Sequence, residues 1–403
     1  MQSTKLTPML QRLSPYVYLP GAAMLFIRVC LESVLFIAIH FFVCFECLLR
    51  LIMERDESSS ESFPMGETAQ EKAFSHVPQC YTISTSQRPG LNPETGIVPV
   101  VDWAALSSPD RRSDAINEIK NACSRSGCFQ IINHGISQSV LDGALETAFN
   151  FFKLPTKEKA KFMSNDVHKP VRYGTSLKDG QDKLQYWRVF LKHYANPLNQ
   201  WIQQWPTNPP EYREQMGTFA TEVNKIAAEL MKAITESLGL GPTYLTHKME
   251  NGMQVMVINC YPPCPEPTLS LGLPPHSDYS CFTIVLHSSQ GLEILDKSDD
   301  TWKVVPDLHS ALMVHVGDHI EVLSNGIYKS MVHRVALNRD ETRISIASLH
   351  SLGMNEKMET AKELIDDEHP KGYRESSMMD FLNFLSKRDI SEGSFIETLK
   401  IKN

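Results

Sequence analysis

The sequence lacks the concentrated positive charge of nucleic-acid-binding proteins. Its 403 residues carry 39 lysines and arginines against 47 aspartates and glutamates, which gives a net charge of −8 and a pI near 6.0. No run of basic residues is longer than a pair. Because binding to a phosphate backbone needs a basic patch or stripe, we expect no nucleic-acid partner. The hydrophobic fraction of 42% is ample for a large core.

A disulfide framework is absent as well. The nine cysteines are scattered along a long chain and their number is odd, so we expect reduced thiols and a cytoplasmic location. The single Cys-x-x-Cys, from Cys44 to Cys47, has no second pair at the spacing of a zinc site. It also lies in an apolar stretch, so we interpret these two cysteines as buried thiols.

Apolar stretches of clear membrane-spanning length are missing too. Residues 33–45 carry no formal charge, but as a helix they would rise only about 20 Å against a hydrocarbon core of about 30 Å. A longer span would bury Glu46 and Arg50. Three interpretations of segment 20–52 remain open: a marginal membrane anchor, a buried or interfacial helix, and translated sequence upstream of the true start. Together with a Ser-rich flexible linker, this segment forms a predicted N-terminal extension over 1–70.

What the sequence does contain begins with a strand and helices after this extension. A β-branched run predicts a strand at 98–103. Apolar residues at helical spacing predict helices over 138–152 and 212–238, and Gly239 is expected to end the second one. We assign 98–207 to an N-terminal region of the fold.

The C-terminal half changes to short runs of β-forming residues separated by Pro, Gly, Asp and Asn. Such runs predict an antiparallel sandwich or jelly roll over 250–353. Asn325 and Gly326 stand between two of the runs and predict a hairpin. Helical spacing of apolar residues then predicts a helical region over 354–403. The predicted class is α+β, with a double-stranded β-helix (jelly-roll) core flanked by helices.

Two histidines and an aspartate form the candidate metal site. In the stretch LPPHSDYSC, His276 and Asp278 are two residues apart, so in an extended chain their side chains leave the same face. His333 follows later in the β-rich region. A lone His-x-Asp is weak evidence in a chain with 14 histidines. Two histidines and one carboxylate, however, make the facial triad of non-haem Fe(II) oxygenases, which leaves coordination positions open for a co-substrate and dioxygen.

A candidate anion site follows this triad in the sequence. Arg343 and Ser345 are again two residues apart, ten and twelve positions after His333. A guanidinium offers a fixed fork that matches a carboxylate, and a neighbouring hydroxyl adds a further hydrogen bond. A buried arginine near a metal is costly unless an anion completes it. We therefore expect the far carboxylate of a metal-chelating co-substrate at Arg343.

At this point the chain resembles the plant 2-oxoglutarate- and Fe(II)-dependent dioxygenases related to isopenicillin N synthase, and it is similar to flavanone 3-dioxygenase and to the downy-mildew-resistance-type oxygenases. The resemblance runs from about residue 98 to the C-terminal end. The matching stretches are CFQIINHGI, NCYPPCPEP, LPPHSDYS, GLEIL, VGDHIEVLSNGIYKSMVHRV and RISIAS.

The resemblance implies site residues and a reaction. The implied residues are His276, Asp278 and His333 as iron ligands, and Arg343, Ser345, Tyr261 and Asn259 around 2-oxoglutarate. In the implied reaction, 2-oxoglutarate and dioxygen are consumed, succinate and carbon dioxide leave, and a small metabolite is hydroxylated or otherwise oxidised. Ascorbate is the implied reductant that keeps the iron as Fe(II). The expected partners are the small-molecule substrate and dioxygen, and the expected state is a monomer.

Some positions depart from the family pattern. Cys260 replaces a common aromatic residue, and His315 stands where an asparagine is common. Leu349 occupies a position at which flavonoid-acting relatives tend to carry a phenylalanine, which favours a non-planar apolar substrate, such as a terpenoid or gibberellin-like acid, over a flat flavonoid. We expect Leu349 and Tyr173 to line the substrate pocket.

Two other classes of function remain open from the sequence. A zinc hydrolase could use the same three ligands with a bound water, but it has no use for Arg343 and Ser345. A catalytically silent binding protein of the same fold would not need an intact ligand set.

Overall fold

Strands and helices fill most of the computed structural model, which describes residues 74–90, 93–176, 182, 184–387 and 393–402. The strands are β1 (Val100–Asp102), β2 (Cys128–Ile132), β3 (Val171–Gly174), β4 (Val189–Asn196), β5 (Met253–Tyr261), β6 (Leu273–His276), β7 (Phe282–His287), β8 (Leu292–Asp296), β9 (Thr301–Val304), β10 (Leu312–Val316), β11 (His333–Val335) and β12 (Arg343–Ser351). The α-helices are α1 (Arg112–Arg125), α2 (Gln138–Lys153), α3 (Thr156–Lys159), α4 (Leu198–Trp201), α5 (Tyr212–Ser237), α6 (Thr246–Glu250), α7 (Asp318–Leu323), α8 (Met378–Leu385) and α9 (Phe395–Leu399).

The strands form two sheets that enclose a cavity. The larger sheet has the strand order β1-β2-β10-β7-β12-β5-β4-β3, and the smaller one β6-β11-β8-β9. Within these sheets every neighbouring pair is antiparallel except β1 with β2. The order brings together strands that are distant in the chain, as in a jelly roll. The predicted class, α+β with a jelly-roll core flanked by helices, is confirmed.

The outer face of the larger sheet is covered by helices. Helix α5 carries the predicted apolar stripe, which is buried and consists of Phe219, Val223, Ile226, Leu230 and Ile234. It contacts α1, α2 and β12. Burial of each such side chain contributes about 1.5–3 kcal/mol, so this stripe is a main source of stability. The helices predicted over 138–152 and 212–238 are confirmed to within a residue at each end.

The predicted hairpin at Asn325 and Gly326 is wrong. The preceding run, expected as a strand, is helix α7, and both turn residues adopt positive φ angles, of 52° and 80°, just after that helix ends. The run is buried on all sides, and a short apolar run that is buried all round has no periodicity to distinguish helix from strand. The Asn325 amide also donates to the carbonyl oxygens of Leu364, His369 and Pro370, so the turn ties down the C-terminal segment.

The N-terminal extension predicted over 1–70, with its apolar segment 20–52, lies outside the described residues. In the part of the chain that the structure does describe, no helix is both long and apolar enough to cross a bilayer. The cysteines of this part are free and buried, in agreement with the expectation of reduced thiols; they are Cys80, Cys123, Cys128, Cys260, Cys264 and Cys281.

A buried histidine joins the larger sheet to the helical layer. His193 on β4 has no exposed surface, packs 4.0 Å from the Trp205 ring between centroids, and shares a 3.0 Å hydrogen bond with the Tyr212 hydroxyl on α5. Burial lowers the pKa of His193 to about 3. The imidazole is therefore neutral in the folded protein at neutral pH, whereas an exposed one titrates near pH 6.5.

We expect His193 to make the protein less stable in acid. The unfolded chain takes up this proton as the pH falls below 6.5, and the folded chain does not until about pH 3. The free energy of unfolding should thus lose about 1.4 kcal/mol per pH unit between these values from this residue. Urea unfolding of the wild type and of His193→Gln is measured from pH 7 to pH 5. The slope of the free energy of unfolding against pH should be smaller in the variant, by the equivalent of close to one bound proton. The control His247→Gln, at a side chain that is 95% exposed, should keep the wild-type slope; equal slopes in all three proteins would contradict the assignment.

Candidate active site

The two sheets enclose a cavity of about 460 Å³. Strands β3, β4, β5 and β12 form one wall, and β6, β8 and β11 form the other. Helix α8 covers the cavity with apolar side chains that include Met378, Phe381 and Leu382. The helix begins with a capping box between Ser377 and Asp380, which fixes its start.

Three side chains converge on the wall formed by the smaller sheet. His276 ends β6 and His333 begins β11, and antiparallel pairing places these two residues directly opposite each other. Asp278 follows two residues after His276. One ligand atom from each residue lies within 4.8 Å of the others, and the Asp278 Oδ1 atom is 3.6 Å from His276 Nε2 and 3.9 Å from His333 Nε2. The pairing of β6 with β11 thus brings His276 and Asp278 together with His333.

Backbone carbonyls orient both imidazole rings. His276 Nδ1 lies 2.8 Å from the Pro274 carbonyl oxygen, and His333 Nδ1 lies 3.3 Å from that of Met331. Each Nδ1–H can therefore donate to its carbonyl, which leaves the Nε2 lone pair directed at the Asp278 carboxylate. Burial lowers the pKa of both histidines, which favours the neutral form that a metal ligand needs.

The carboxylate is held in its charged form. Burial alone would raise the pKa of Asp278, but His333 and a hydrogen bond from His315 hold that pKa well below its usual range. Two neutral imidazole nitrogens and one carboxylate oxygen are hard and borderline donors that suit a divalent transition metal. This chemistry fits Fe(II).

His315 is a neighbour of this cluster that sequence reasoning did not place there. It lies on β10 with 2% of its surface exposed, and its Nδ1 is 3.4 Å from Asp278 Oδ2. Its ring lies 4.6 Å from the His333 ring. The signal in the sequence is the histidine at a position where the family commonly carries an asparagine.

The loop that carries Asp278 packs closely against the start of α7. A Cβ atom on Gly317 would lie 2.2 Å from the Ser280 carbonyl oxygen, so only glycine permits this approach. Tyr279 anchors the same loop to the cover of the cavity, because its hydroxyl lies 2.8 Å from the Ser377 carbonyl oxygen and its ring stacks on Phe381 at 4.5 Å. The metal loop and α8 are therefore held together.

Arg343 lies at a different place in the same cavity. It begins β12 opposite Tyr261 on β5, and its guanidinium carbon is 5.3 Å from the Tyr261 ring centroid. Its Nε donates to the Ser289 carbonyl oxygen at 2.8 Å, while Nη1 has no hydrogen-bond partner in the described part of the chain. Gly291, with φ of 142°, makes room, since a Cβ there would lie 2.9 Å from Arg343 Cδ.

Polar side chains continue from Arg343 along the neighbouring strands. Ser345 pairs in register with Asn259, and the Asn259 amide nitrogen lies 3.5 Å from the Ser345 hydroxyl oxygen. The Asn259 amide oxygen accepts a 2.8 Å hydrogen bond from Arg188 Nη1. Burial lowers the pKa of Arg343. A buried cation with an unpartnered N–H directed at a cavity is suited to an anionic ligand.

The other predicted residues divide into two groups. Asn259, Tyr261, Ser345 and Leu349 line the cavity with Arg343. Tyr173 does not: it is 1% exposed, belongs to the hydrophobic core, and packs edge-on against Phe151 on α2. Successive side chains of a strand point to opposite faces. On β3 it is Arg172, the residue before Tyr173, that lines the cavity. The expectation for Tyr173 is corrected accordingly.

Comparisons with known proteins identify the family. The model of the 2OG-Fe(II) oxygenase superfamily matches residues 252–351, and the model described as the non-haem dioxygenase in morphine synthesis N-terminal region matches residues 98–208. These two matches together cover more than half of the chain.

Individual proteins agree with this result. Flavanone 3-dioxygenase 3 of Oryza sativa subsp. japonica is 50% identical over 307 residues, which are 75% of this chain and 93% of the rice protein. The chloroplastic 2-oxoglutarate-dependent dioxygenase 21 of the same plant is 49% identical over 315 residues, 78% of this chain and 94% of its own. A crystal structure of JOX2 in complex with 2OG, Fe and JA has a TM-score of 0.76 at 28% identity and covers 85% of this chain and 99% of that one. The chain belongs to the 2OG-Fe(II) oxygenase superfamily, and it is an enzyme that uses Fe(II) and 2-oxoglutarate.

Proposed function

We propose that this dioxygenase oxidises a small plant metabolite with release of succinate and carbon dioxide, and that His276, Asp278 and His333 hold its iron. The observation that carries the proposal is the convergence of two imidazole nitrogens and one carboxylate oxygen within 4.8 Å on the wall of the cavity. Iron bound by three protein ligands retains open positions, and there it supplies the activation of dioxygen. A zinc hydrolase would have no role for Arg343, which lines the same cavity.

The chain's own residues position the co-substrate. Arg343 Nη1 has an N–H to give, and Ser345 and Tyr261 lie beside it, so these three side chains would bind the far carboxylate of 2-oxoglutarate. Asn259 supports Ser345 from the neighbouring strand. Apolar side chains of α8 line the same cavity as this anchor and the metal ligands. Ascorbate is the proposed reductant.

The substrate is proposed to be a flavonoid, a gibberellin or other terpenoid, a phenolic compound or a hormone. A cavity of about 460 Å³ is in the range used for molecules of this size. Leu349 lines it, which favours a non-planar apolar scaffold, but Phe190, Tyr194 and Phe381 also contribute aromatic surface. We further propose a monomer in the cytoplasm, with the divisions 1–70, 98–207, 250–353 and 354–403, and no nucleic-acid partner.

Loss of any one metal ligand should abolish activity. His276→Ala, Asp278→Ala or His333→Ala leaves two ligands, which cannot hold Fe(II) in a facial triad. We expect bound iron and 2-oxoglutarate-dependent succinate release to fall to background, while the far-UV circular dichroism stays that of the wild type. His309→Ala, at an exposed histidine, is the control and should bind iron normally. Wild-type turnover in any of the three variants would remove that residue from the site.

Arg343→Leu should raise the dissociation constant for 2-oxoglutarate. A charge-assisted hydrogen bond contributes about 1.5–3 kcal/mol, so the loss should be between about tenfold and about a hundredfold. The measurement is calorimetric titration of 2-oxoglutarate in the presence of Mn(II), which avoids turnover. Arg339→Leu, at an exposed arginine in the loop before β12, is the matched control. An unchanged constant for Arg343→Leu would exclude its proposed role.

His315 should act by orienting Asp278. Partners of metal ligands typically contribute 10- to 100-fold to metal affinity, so His315→Leu should weaken Mn(II) or Co(II) binding by about that factor. His315→Asn restores an N–H donor and should recover most of the affinity. Metal titration of both variants checks this, with the 2-oxoglutarate affinity of the metal-loaded proteins as a second readout. Equal metal affinity of His315→Leu and wild type would show that the 3.4 Å contact with Asp278 has no orienting role.

A further inference from the structure

A second group of cationic side chains lines the cavity away from Arg343. Arg172 on β3 and Lys192 on β4 pair in register, and both line the cavity. Lys192 is also in register with Val257 on β5, whereas Arg343 is in register with Tyr261 on the same strand. The backbone positions of Lys192 and Arg343 are about 16 Å apart, because four residues along β5 and two strand spacings across the sheet separate them. Lys192 and Arg343 therefore start from separate places on the cavity wall.

The ammonium group of Lys192 lacks a counterion. Nζ donates to the Val167 carbonyl oxygen at 2.8 Å and lies 5.0 Å from the Tyr194 ring centroid, but it makes no ion pair with any described residue. A carbonyl oxygen accepts one of its three N–H groups and brings no net charge. The Asp166 carboxylate is the opposite charge that acts on Lys192, and it already accepts hydrogen bonds from His168.

The surroundings of Lys192 make its positive charge costly as it stands. Burial is the largest effect, and the neighbouring charge of Arg172 adds to it; together they lower the pKa of Lys192 to about 7. Arg172 is itself 3% exposed, and its guanidinium is oriented by the Ser176 carbonyl oxygen and by the Phe190 ring, 5.1 Å away. An anion in the cavity would relieve both the desolvation and the repulsion.

The described carboxylates that line the cavity cannot supply this anion. They are Asp278 and Asp318. Asp278 belongs to the metal cluster. Asp318 also lies next to the metal loop, because its backbone N–H donates to the Asp278 carbonyl oxygen at 2.9 Å. Neither of these two carboxylates makes an ion pair with Lys192, and an acidic ligand in the cavity would supply one.

We propose that Lys192, with Arg172 beside it, is a subsite for a carboxylate of the substrate. The substrate is then a small organic acid whose apolar part lies along Val257, Leu349 and Leu382. This inference rests on the proposed function and adds a chemical class to it. The same carboxylate chemistry could come from a second molecule of 2-oxoglutarate, which the experiment distinguishes from a substrate acid.

The test compares acids with their methyl esters. Purified enzyme with Fe(II), ascorbate and 2-oxoglutarate is given gibberellin precursors, phenolic acids and indole acids, each as the acid and as the ester, and flavanones as neutral compounds. We expect kcat/KM for at least one acid to exceed that for its ester by about tenfold or more. Lys192→Met should remove this preference by raising KM for the acid without a change in its kcat. Lys192→Arg should keep the preference. The ester rate and KM for 2-oxoglutarate should not change.

Controls separate this proposal from the proposed function. Lys169→Met, at an exposed lysine near Val167, should behave as the wild type. Succinate formed without any added substrate reports whether the oxygenase itself works, and calorimetric titration of the acids into enzyme with Mn(II) and 2-oxoglutarate reports binding without turnover. The proposal is overturned if Lys192→Met affects acid and ester equally, if it changes KM for 2-oxoglutarate, or if the active wild type neither binds nor converts any acid and accepts only neutral compounds.

Discussion

The antiparallel pairing of β6 with β11 is the constraint on which the whole site depends. It sets His276 opposite His333, although 56 residues of chain separate them. A slip of one residue would turn one of the two imidazoles to the other face of the sheet. The register is protected on both sides, because β11 also pairs with β8 and the loop after β6 is packed against Gly317. The metal site is therefore a consequence of strand pairing rather than of the loop alone.

The same period of two arranges the opposite wall. On β12 the alternate residues Arg343, Ser345, Ala347 and Leu349 line the cavity, and on β5 the alternate residues that face them do the same. On β12 the polar side chains of Arg343 and Ser345 stand at one end of the row, and the apolar side chains of Ala347 and Leu349 stand at the other. A single register thus separates the proposed co-substrate end from the proposed substrate end.

Most of what the sequence could predict came from the spacing of residues that are close together in the chain. His276 with Asp278, and Arg343 with Ser345, are pairs at i and i+2, and such a pair shares a face of any extended segment. Tyr173 could not be placed this way, because β3 and β4 were not predicted and the parity of their residues was unknown. The wrong hairpin at Asn325 has a similar origin: α7 is buried all round, so its sequence has no polar face to mark the helical period. His315 needed the pairing of β10 with β7, which no local pattern encodes.

Electrostatics explains why the two ends of the cavity differ. Near the metal ligands, the Asp278 carboxylate lies among the imidazoles of His276, His315 and His333 and stays ionised, so its negative charge has polar partners. At Lys192, burial and the like charge of Arg172 outweigh the opposite charge of Asp166, and the carbonyl partner is neutral. A lysine in such a place can lose its proton, which an arginine cannot, so the folded chain avoids much of the cost of an unpaired buried cation. A carboxylate that enters the cavity reverses this balance, because the ion pair then favours the protonated amine. Binding energy that depends on one charged group of the ligand is what separates an acid from a neutral molecule of the same shape.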